Sequence, residues 1–194
     1  MKIIGGTWRG RNFYTPLEIR PTQGALRKAL FDILGQELNG MAFLDLFAGS
    51  GAVGLEALSR GARKVVFVEK DERFAQIIGE NLRLLNRDVA ANGSVACELR
   101  HADAFATIKL LSRNGAKFDL IYVDPSYGLG LAKKALKTLE AYDILAPNCL
   151  VIIEHNSDEN LPKQQGKFLI FRQKEYANSI LTFYKIIESA GVGS

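Results

Sequence analysis

The sequence predicts an α/β fold with a mostly parallel, seven-stranded sheet, and two features of its pattern support this. From Met41 onward, short apolar segments alternate with amphipathic segments of helical period, which is typical of parallel strands joined by helices. Near the C-terminus the alternation stops and two strand-like segments follow each other, which indicates an antiparallel C-terminal hairpin. A short N-terminal β-hairpin and one helix are predicted before Met41.

The N-terminal elements are predicted from turn residues and helical spacing. Residues 2–6 and 9–15 flank a turn-like Gly6-Thr7-Trp8 and are expected to form the hairpin. Thr22 is a suitable N-cap for a helix whose apolar residues recur every three or four positions up to Gly35.

The alternating region supplies the body of the sheet. Its strands are predicted at 42–47, 64–68, 94–99, 118–123 and 150–154. The helices between them are predicted at 53–60, 72–86, 105–113 and 129–142. The last hairpin pairs 168–173 with 179–187 across a turn at 174–178, and the polar run 156–166 is expected to be a loop. Ligands of such sheets bind beyond the carboxyl ends of the parallel strands.

Composition limits the classes of protein that remain. A chain of 194 residues with 47% hydrophobic content can bury one main core. No run approaches the roughly 20 apolar residues that span a bilayer, and arginines interrupt the first 30 residues, so we expect a cytoplasmic protein without a membrane partner. Cys97 and Cys149 are far apart and lack metal-ligand spacing, so we expect buried free thiols and no metal.

The positive charge is concentrated near the N-terminus. Residues 1–28 contain six basic residues and one acidic residue, a net charge of +5, whereas the whole chain carries +4 and the remainder therefore sums to −1. This asymmetry favours a segment that contacts phosphates of a nucleic acid, the alternative being a solvated basic face.

A glycine-rich bend follows the first parallel strand. Gly49-x-Gly51-x-x-Gly54 lets backbone approach a nucleotide-type ligand closely, although the pattern alone has low specificity. Asp45 lies two residues before Phe47, where its charge would attract a cationic ligand and repel a pyrophosphate. The alternative is that Asp45 caps or tethers the bend.

Two further acids follow the next strands. Glu69 ends the second strand about 20 residues after the bend, where a carboxylate can accept hydrogen bonds from both hydroxyls of a ribose. Asp103 follows the third strand and could accept from an adenine amino group, and the cap of the helix beginning near Ala104 is a nearly equal alternative.

Asp124-Pro125-Ser126-Tyr127 follows the apolar strand 118–123. The amine of a purine is a poor nucleophile because its lone pair is delocalised, so a catalyst needs acceptors that hold both N–H bonds. The Asp124 carboxylate and the Pro125 carbonyl can do this, and Tyr127 offers a ring on which a base can stack. An ordinary turn with a packed tyrosine is the alternative.

Together these motifs resemble class I S-adenosylmethionine-dependent methyltransferases, which have a Rossmann-like fold. Motif I corresponds to residues 45–51, the ribose acid to Glu69, and motif IV to residues 124–127. The N-terminal part resembles more narrowly the RsmD family, on the strength of Ile3-Ile4-Gly5-Gly6-x-x-Arg9-Gly10-Arg11, of Arg20-Pro21-Thr22 and of residues 27–34. The match runs from residue 1 to about residue 188.

The resemblance implies transfer of a methyl group from S-adenosylmethionine to the N2 of a guanine in 16S ribosomal RNA, leaving S-adenosylhomocysteine. The implied partner is 16S ribosomal RNA, and the resemblance favours an assembled small subunit over naked RNA. We expect a monomer with an N-terminal extension at 1–38 and a methyltransferase domain at 39–194. The catalytic residues it implies are Asp124, Pro125 and Tyr127. The cofactor-binding residues it implies are Pro21, Thr22, Asp45, Phe47, Ala48, Gly49, Ser50, Gly51, Glu69, Lys70, Asp103 and Ala104. The RNA-binding residues are expected to be Arg9, Arg11, Arg20 and Arg27.

The chain departs from the RsmD family pattern at two places. Ser126 stands where the family usually has a second proline, and Gln23-Gly24 followed by Ala25 stands where it has an Asp-Arg pair. Three other classes stay open. An adenine-N6 DNA methyltransferase shares motif IV, and a nicotinamide dehydrogenase shares the glycine bend and Glu69. A catalytically impaired RNA-binding homologue would tolerate both departures.

Overall fold

In the computed structural model, the chain is described at residues 1–15, 22–92, 96–126 and 130–187. The helices over these ranges are α1 (Thr22–Leu34), α2 (Ala52–Ser59), α3 (Glu72–Asn92), α4 (Ala104–Arg113) and α5 (Leu131–Ala141). The strands are β1 (Ala42–Leu46), β2 (Lys64–Glu69), β3 (Ala96–His101), β4 (Phe118–Val123), β5 (Leu145–Asn156), β6 (Gln164–Gln165), β7 (Phe168–Tyr176) and β8 (Ser179–Ile186). The chain divides into two compact units, Met1–Thr107 and Ile108–Ser194.

The first unit contains three parallel strands in the order β3-β2-β1. All five residues of β1 are buried, and so are the four central residues of β2. Strands buried on both faces read as continuous apolar runs because helices cover each side of a parallel sheet. The predicted alternation of strands and helices is confirmed here.

The N-terminal residues form the predicted hairpin, although its pairing is short. An antiparallel bridge joins Lys2 to Asn12, the Ile3 N–H donates to the Arg11 carbonyl at 3.0 Å, and the Phe13 N–H donates to the Met1 carbonyl at 2.7 Å. Ile3 and Phe13 are buried and contribute to the core of the first unit.

The hairpin is attached to α2 through a glycine pair. The N–H groups of Ile4 and Gly5 donate to the carboxylate of Glu56 at 2.9 and 2.7 Å. A Cβ on Gly6 would lie 1.8 Å from the carbonyl oxygen of Ser59, and Gly6 has a φ of +73°. Only glycine satisfies both conditions, so the Gly5-Gly6 pair allows the hairpin to pack closely against the end of α2.

The second unit contains five strands in the order β4-β5-β8-β7-β6. β4 and β5 are parallel, and the remaining neighbours are antiparallel. The buried residues of α5 are Ala132, Ala135, Leu136 and Leu139, which is the spacing of one helical face. The mostly parallel arrangement with antiparallel C-terminal strands is therefore confirmed.

The structure differs from the sequence prediction in strand number and in several bounds. Eight strands occur in the described ranges instead of seven, because Gln164–Gln165 in the polar run pairs with β7 across a turn at Gly166. β5 begins at Leu145 rather than at 150. Asn148 adopts a φ of 62°, and the register between β4 and β5 shifts between Phe118 and Leu120, so the strand includes an irregularity at its polar residues. The last turn is tighter than predicted, and Ala177 has a φ of 50° there.

Several of the predicted helix and strand ends also move outward. α3 continues to Asn92 rather than ending at 86, and β7 continues to Tyr176 rather than ending at 173. Within the described ranges, every helix is too short or too polar to cross a membrane.

Candidate active site

The glycine bend after β1 carries several residues in the left-handed region of backbone space. Gly49 and Gly51 have φ of 54° and 78°, and Phe47 has a φ of 62° although it is not a glycine. The Phe47 ring packs edge-on against that of Phe105, with 5.9 Å between ring centroids. Strain of this kind in a non-glycine residue costs about 1–3 kcal/mol and is found most often at ligand-binding loops.

The three glycines of the motif have different roles. A Cβ on Gly54 would lie 2.3 Å from Cε1 of Phe67, so this glycine is required because α2 packs directly on β2. A Cβ on Gly51 would lie 3.0 Å from Cγ1 of Ile78, and Gly51 is also the N-cap of α2. A Cβ on Gly49 would meet no atom within 4 Å, so the space beside Gly49 is open.

Asp45 is buried in β1 and is hydrogen-bonded to the first turn of α2. Its Oδ2 accepts a hydrogen bond from the Gly54 N–H at 2.9 Å, and its exposed fraction is 1%. Burial raises the pKa of Asp45 from 3.8 to about 8, and the charge of nearby Glu69 adds to the effect, while the Gly54 hydrogen bond opposes it. The tethering alternative for Asp45 is thus observed directly. A cation placed beside this carboxyl group would favour its ionised form.

Glu69 connects the end of β2 to the glycine bend. Its Oε2 accepts the Gly49 N–H at 2.7 Å, and its Oε1 accepts the Asp71 N–H at 2.7 Å. Each carboxylate oxygen accepts through more than one lone pair, so both oxygens retain capacity for a further donor. A half-buried carboxylate held in this way can receive two hydroxyl donors from a ribose.

Asp103 is the N-cap of α4. Its Oδ1 accepts the Ala106 N–H at 2.9 Å, which is the hydrogen bond that a capping aspartate makes. Ala104 is buried at the first position of this helix. Lys70 is exposed, and its backbone oxygen lies 3.1 Å from Nε2 of His101.

The other residues assigned to the cofactor lie on the bend or outside the described residues. Ala48 is half-buried and its N–H donates to the Val68 carbonyl at 2.9 Å, and Ser50 is buried. Thr22 begins α1, whereas Pro21 lies outside the described residues. The first unit therefore brings together the glycine bend, Asp45 and Glu69 through direct hydrogen bonds.

In the second unit, Asp124 and Pro125 directly follow β4. Asp124 is half-buried, Pro125 is buried and Ser126 is exposed, while Tyr127 lies outside the described residues. The hydroxyl of Tyr122, two residues before Asp124, donates to Oε2 of the buried Glu154 on β5. This hydrogen bond between neighbouring strands supports the segment that precedes Asp124.

The arginines predicted to contact RNA have different environments. Arg9 is exposed, and half-buried Arg11 donates to the Leu84 carbonyl at 2.9 Å. Arg27 is 7% exposed and donates to the Lys2 carbonyl at 2.9 Å, so its guanidinium has an internal role. Arg20 lies outside the described residues. The internal hydrogen bond of Arg27 argues against its predicted role, whereas Arg9, Arg11 and Arg20 stay predictions as RNA contacts.

Sequence reasoning missed Glu56 and Glu154, two buried acids with structural partners. Glu56 is fully buried, and its Oε1 lies 2.9 Å from the Arg60 guanidinium. The available signal for Glu56 was its position as the one acid in the otherwise apolar helix sequence Val-Gly-Leu-Glu-Ala-Leu. Among the described residues, no group of three or more potential metal ligands is positioned to hold a metal ion.

The fold is shared by proteins with little sequence similarity to this chain. An S-adenosylmethionine-dependent methyltransferase from Agrobacterium tumefaciens is 17% identical and aligns with a TM-score of 0.62, covering 91% of this chain and 66% of that chain. At this identity the likeness concerns the fold alone. The architecture is the Rossmann-like fold of S-adenosylmethionine-dependent methyltransferases, as predicted.

Sequence similarity then defines the family. The chain belongs to the family described as conserved hypothetical protein 95, the RsmD family, whose sequence model matches residues 1–185. Ribosomal RNA small subunit methyltransferase D of Escherichia coli strain K12 is 34% identical over 176 residues, covering 90% of this chain and 84% of that protein. A hypothetical protein of known structure from Thermus thermophilus is 31% identical with a TM-score of 0.76, covering 96% of this chain and 99% of that chain.

Proposed function

We propose that the protein transfers a methyl group from S-adenosylmethionine to the exocyclic N2 of a guanine in small-subunit (16S) ribosomal RNA. The observation that carries this proposal is the family membership, since a relative named ribosomal RNA small subunit methyltransferase D aligns over 90% of this chain. The Asp124-Pro125 pair after β4 supports an amino nitrogen as the acceptor, because it supplies acceptor oxygens for both N–H bonds.

The first unit has the groups needed to hold S-adenosylmethionine. When bound, this cofactor supplies a methyl group from a positively charged sulfur. The space beside Gly49 admits the ligand, Glu69 accepts from its ribose, and the negative charge of ionised Asp45 compensates the cation. Asp103 keeps one carboxylate oxygen available for an adenine amino group while the other caps α4.

In the second unit, Asp124 orients the guanine amine and draws electron density toward its nitrogen. Correct alignment of reacting groups can lower the activation barrier by roughly 7–11 kcal/mol. General-base assistance raises the rate by about 10²–10⁴, which is roughly 3–5 kcal/mol. Orientation is therefore the larger contribution, and the proton can leave after the methyl–nitrogen bond forms. We retain Tyr127 as the residue on which the base stacks, and Ser126 leaves both acceptors of the motif in place.

The test is methyl transfer from tritiated S-adenosylmethionine to small ribosomal subunits isolated from a strain that lacks the activity. Nucleoside analysis should then yield N2-methylguanosine. Label in DNA, or in N6-methyladenosine, would instead assign the protein to the adenine-N6 class. Cofactor and RNA binding without any transfer would identify a catalytically impaired homologue.

A further inference from the structure

The C-terminal hairpin, β7 with β8, carries cationic and aromatic side chains on one face of the sheet. Residues 171–175 of β7 are all exposed. Arg172 pairs with Phe183 and Lys174 pairs with Leu181, and residues paired across two strands lie on the same face. Phe183 and Leu181 are buried, so the two cations lie directly beyond a buried part of β8.

Phe171 occupies an irregularity in β7 and is exposed although it is aromatic. The register with β8 shifts between Ile170 and Arg172, so Phe171 is an extra residue opposite β8. Its ring packs edge-on against the Phe183 ring, with 6.1 Å between the centroids, which places it on the face of Phe183. Phe171 remains 44% exposed, so part of its ring is accessible to a stacking base.

Three exposed cations share this face. They are Arg172, Lys174 and Lys185, the last of which is two residues along β8 from Phe183 and so lies on the same side. In the described part of the chain, none of the three forms an ion pair with a carboxylate. The Nζ of Lys174 lies 5.8 Å from the centroid of the Tyr176 ring, and this cation–π contact leaves the positive charge unneutralised.

The acids within the neighbouring strands do not balance these cations. Glu175, the acid that β7 and β8 contain, pairs with Ile180, whose position alternates with that of Leu181, so Glu175 lies on the opposite face. Glu154 on β5 pairs with Leu181 and shares the face of the cations, but it is buried and accepts the hydroxyl of Tyr122.

The loop after β5 supplies two more acids. Burial lowers the pKa of His155, and the charge of nearby Glu159 opposes this shift. His155 pairs with Ile180, so Glu159 lies toward the opposite face. Asp158 is exposed close to the end of β5. Even if Asp158 and Glu154 are both counted against the three cations, a net positive charge remains on this side of the hairpin.

This face of the hairpin extends to the same edge of the sheet as Asp124. Val123, directly before Asp124, is level with Gln173 on β7 through successive pairs across β5 and β8. Because β4 and β7 run in the same direction, Asp124 is level with Lys174. The two positions are three strand spacings apart. At about 4.8 Å per spacing this separation is roughly 14 Å, which corresponds to about four nucleotides of a stacked strand.

Exposed charge on an edge strand has a second explanation, which is protection against pairing with other chains. β6 pairs with residues 168–169 of β7, so the rest of β7 is an edge in the described part of the chain. Protection accounts for Arg172 and Lys174. It does not account for Phe171, because an exposed aromatic residue on an open edge promotes the association that the charges would prevent.

We propose that this surface, the cationic face defined by Phe171, Arg172, Lys174 and Lys185, binds the nucleotides of the RNA substrate that flank the target guanine. The inference rests on the proposed function for the identity of the RNA. The cations neutralise phosphates, which raises affinity without selecting a base, and the Phe171 ring stacks on an unpaired base.

The first experiment compares two double variants of the full chain that lose the same charge. Arg172→Gln with Lys174→Gln changes the cationic face, and Lys133→Gln with Lys137→Gln changes two exposed lysines of α5. Binding of a fluorescently labelled fragment of small-subunit ribosomal RNA is measured by anisotropy at several salt concentrations. The first variant should bind several-fold more weakly, and its plot of log affinity against log salt should become shallower by about 0.7 for each cation removed. The α5 variant should bind like the unchanged protein.

Substitutions at Phe171 test stacking separately from charge. Phe171→Leu keeps an apolar side chain beside Phe183 but lacks an aromatic ring, so it should weaken binding about fivefold or more without changing the salt dependence. Phe171→Trp keeps an aromatic ring and should retain binding. Affinity for S-adenosylhomocysteine should be the same in all variants, which shows that the fold is intact.

Equal RNA affinity and salt dependence for the two double variants would overturn the proposal, and equal affinity of the two Phe171 variants would overturn the stacking contact. Aggregation of the Arg172 and Lys174 double variant with unchanged RNA affinity would identify these cations as protection of the edge strand. A loss of affinity confined to intact subunits would assign the cationic face to a ribosomal protein instead of RNA. Either of these results also overturns the proposal.

The same measurements separate the cationic face from the proposed function. If the unchanged protein binds RNA but transfers no methyl group, the proposed function fails, while the comparison of variants still decides the cationic face. Absence of RNA binding by the unchanged protein would contradict both.

Discussion

The carboxylate of Asp45 accepts the backbone N–H of Gly54 at 2.9 Å and thereby joins the end of β1 to the first turn of α2. The bond spans the glycine bend, since Asp45 precedes the bend and Gly54 is its last glycine. The same carboxyl group is fully buried next to the predicted site of a cationic ligand, and its protonation is therefore coupled both to folding and to ligand binding.

Asp45→Asn should flatten the dependence of stability on pH. Because the folded-state pKa is about 8 and the ordinary value is 3.8, the contribution of Asp45 to the free energy of unfolding is complete below about pH 4 and is lost progressively as the pH rises towards 8. The slope attributable to this group is at most about 1.4 kcal/mol per pH unit. Urea denaturation at several pH values between about 5 and 7 measures it, and parallel curves for both proteins would refute the assignment.

Binding of S-adenosylmethionine near neutral pH should release a proton from Asp45, because the positive sulfur lowers the raised pKa of this carboxyl group. Titration calorimetry in buffers of different ionisation enthalpy measures the number of protons released. The product S-adenosylhomocysteine, whose sulfur is a neutral thioether, provides the control and should release fewer protons. Identical proton release by both ligands, or unchanged release in Asp45→Asn, would contradict this coupling.

Gly54→Ala should destabilise the protein by about 1–3 kcal/mol, because the new methyl group would overlap the Phe67 ring. Gly79→Ala is the matched control within a helix. Its Cβ would lie 3.9 Å from Cδ2 of Leu99, so the gain in helix propensity of roughly 0.5–1 kcal/mol should make that variant more stable. Chemical denaturation of both variants measures the difference in stability. Adding Phe67→Leu to Gly54→Ala should partly restore the stability of that variant.

Glu56→Gln should reduce the free energy of unfolding by about 3–5 kcal/mol, because it leaves the buried guanidinium of Arg60 without its counter-charge. Asp32→Asn is the comparison, since it removes an exposed partner of Lys28 and should change the stability little. The same denaturation measurement serves both. Similar losses in the two variants would show that burial does not determine the strength of these pairs.

Asp124→Ala should lower the rate of methyl transfer by about 10²–10⁴-fold while leaving the affinity for S-adenosylhomocysteine nearly unchanged. The reason is that Asp124 is proposed to hold the guanine amine, whereas other residues are proposed to hold the cofactor. Single-turnover kinetics and calorimetry separate the two effects. A variant that no longer binds the cofactor would give Asp124 a supporting role instead.

The parts of the fold that the sequence predicts are those that depend on local pattern. β4 was predicted at its observed bounds because apolar residues occupy five of its six positions. β6 could not be predicted, because two glutamines acquire strand geometry only through pairing with Phe168 and Leu169. The bulge in β5 likewise depends on Asn148 adopting a positive φ, which the preceding Pro147 alone does not indicate.

Site prediction was limited by side-chain partners that are distant in sequence. Tethering of the bend was an alternative for Asp45, but the strand pattern does not reveal that Glu69 also holds a backbone N–H group of the bend. Glu56 is 51 residues from Gly5 in the chain, and Tyr122 is 32 residues from Glu154. Such pairs are set by the tertiary fold, so hydropathy indicates that these acids are buried without indicating what they bind.

The short length of α2 has a consequence for how the protein is made. A helix of eight residues is well below the roughly 12–15 that give an isolated helix even marginal stability in water. The N-terminal hairpin therefore has no surface to dock on until Glu56 and Ser59 have also been synthesised. Docking of the hairpin must follow synthesis of the chain as far as the end of α2.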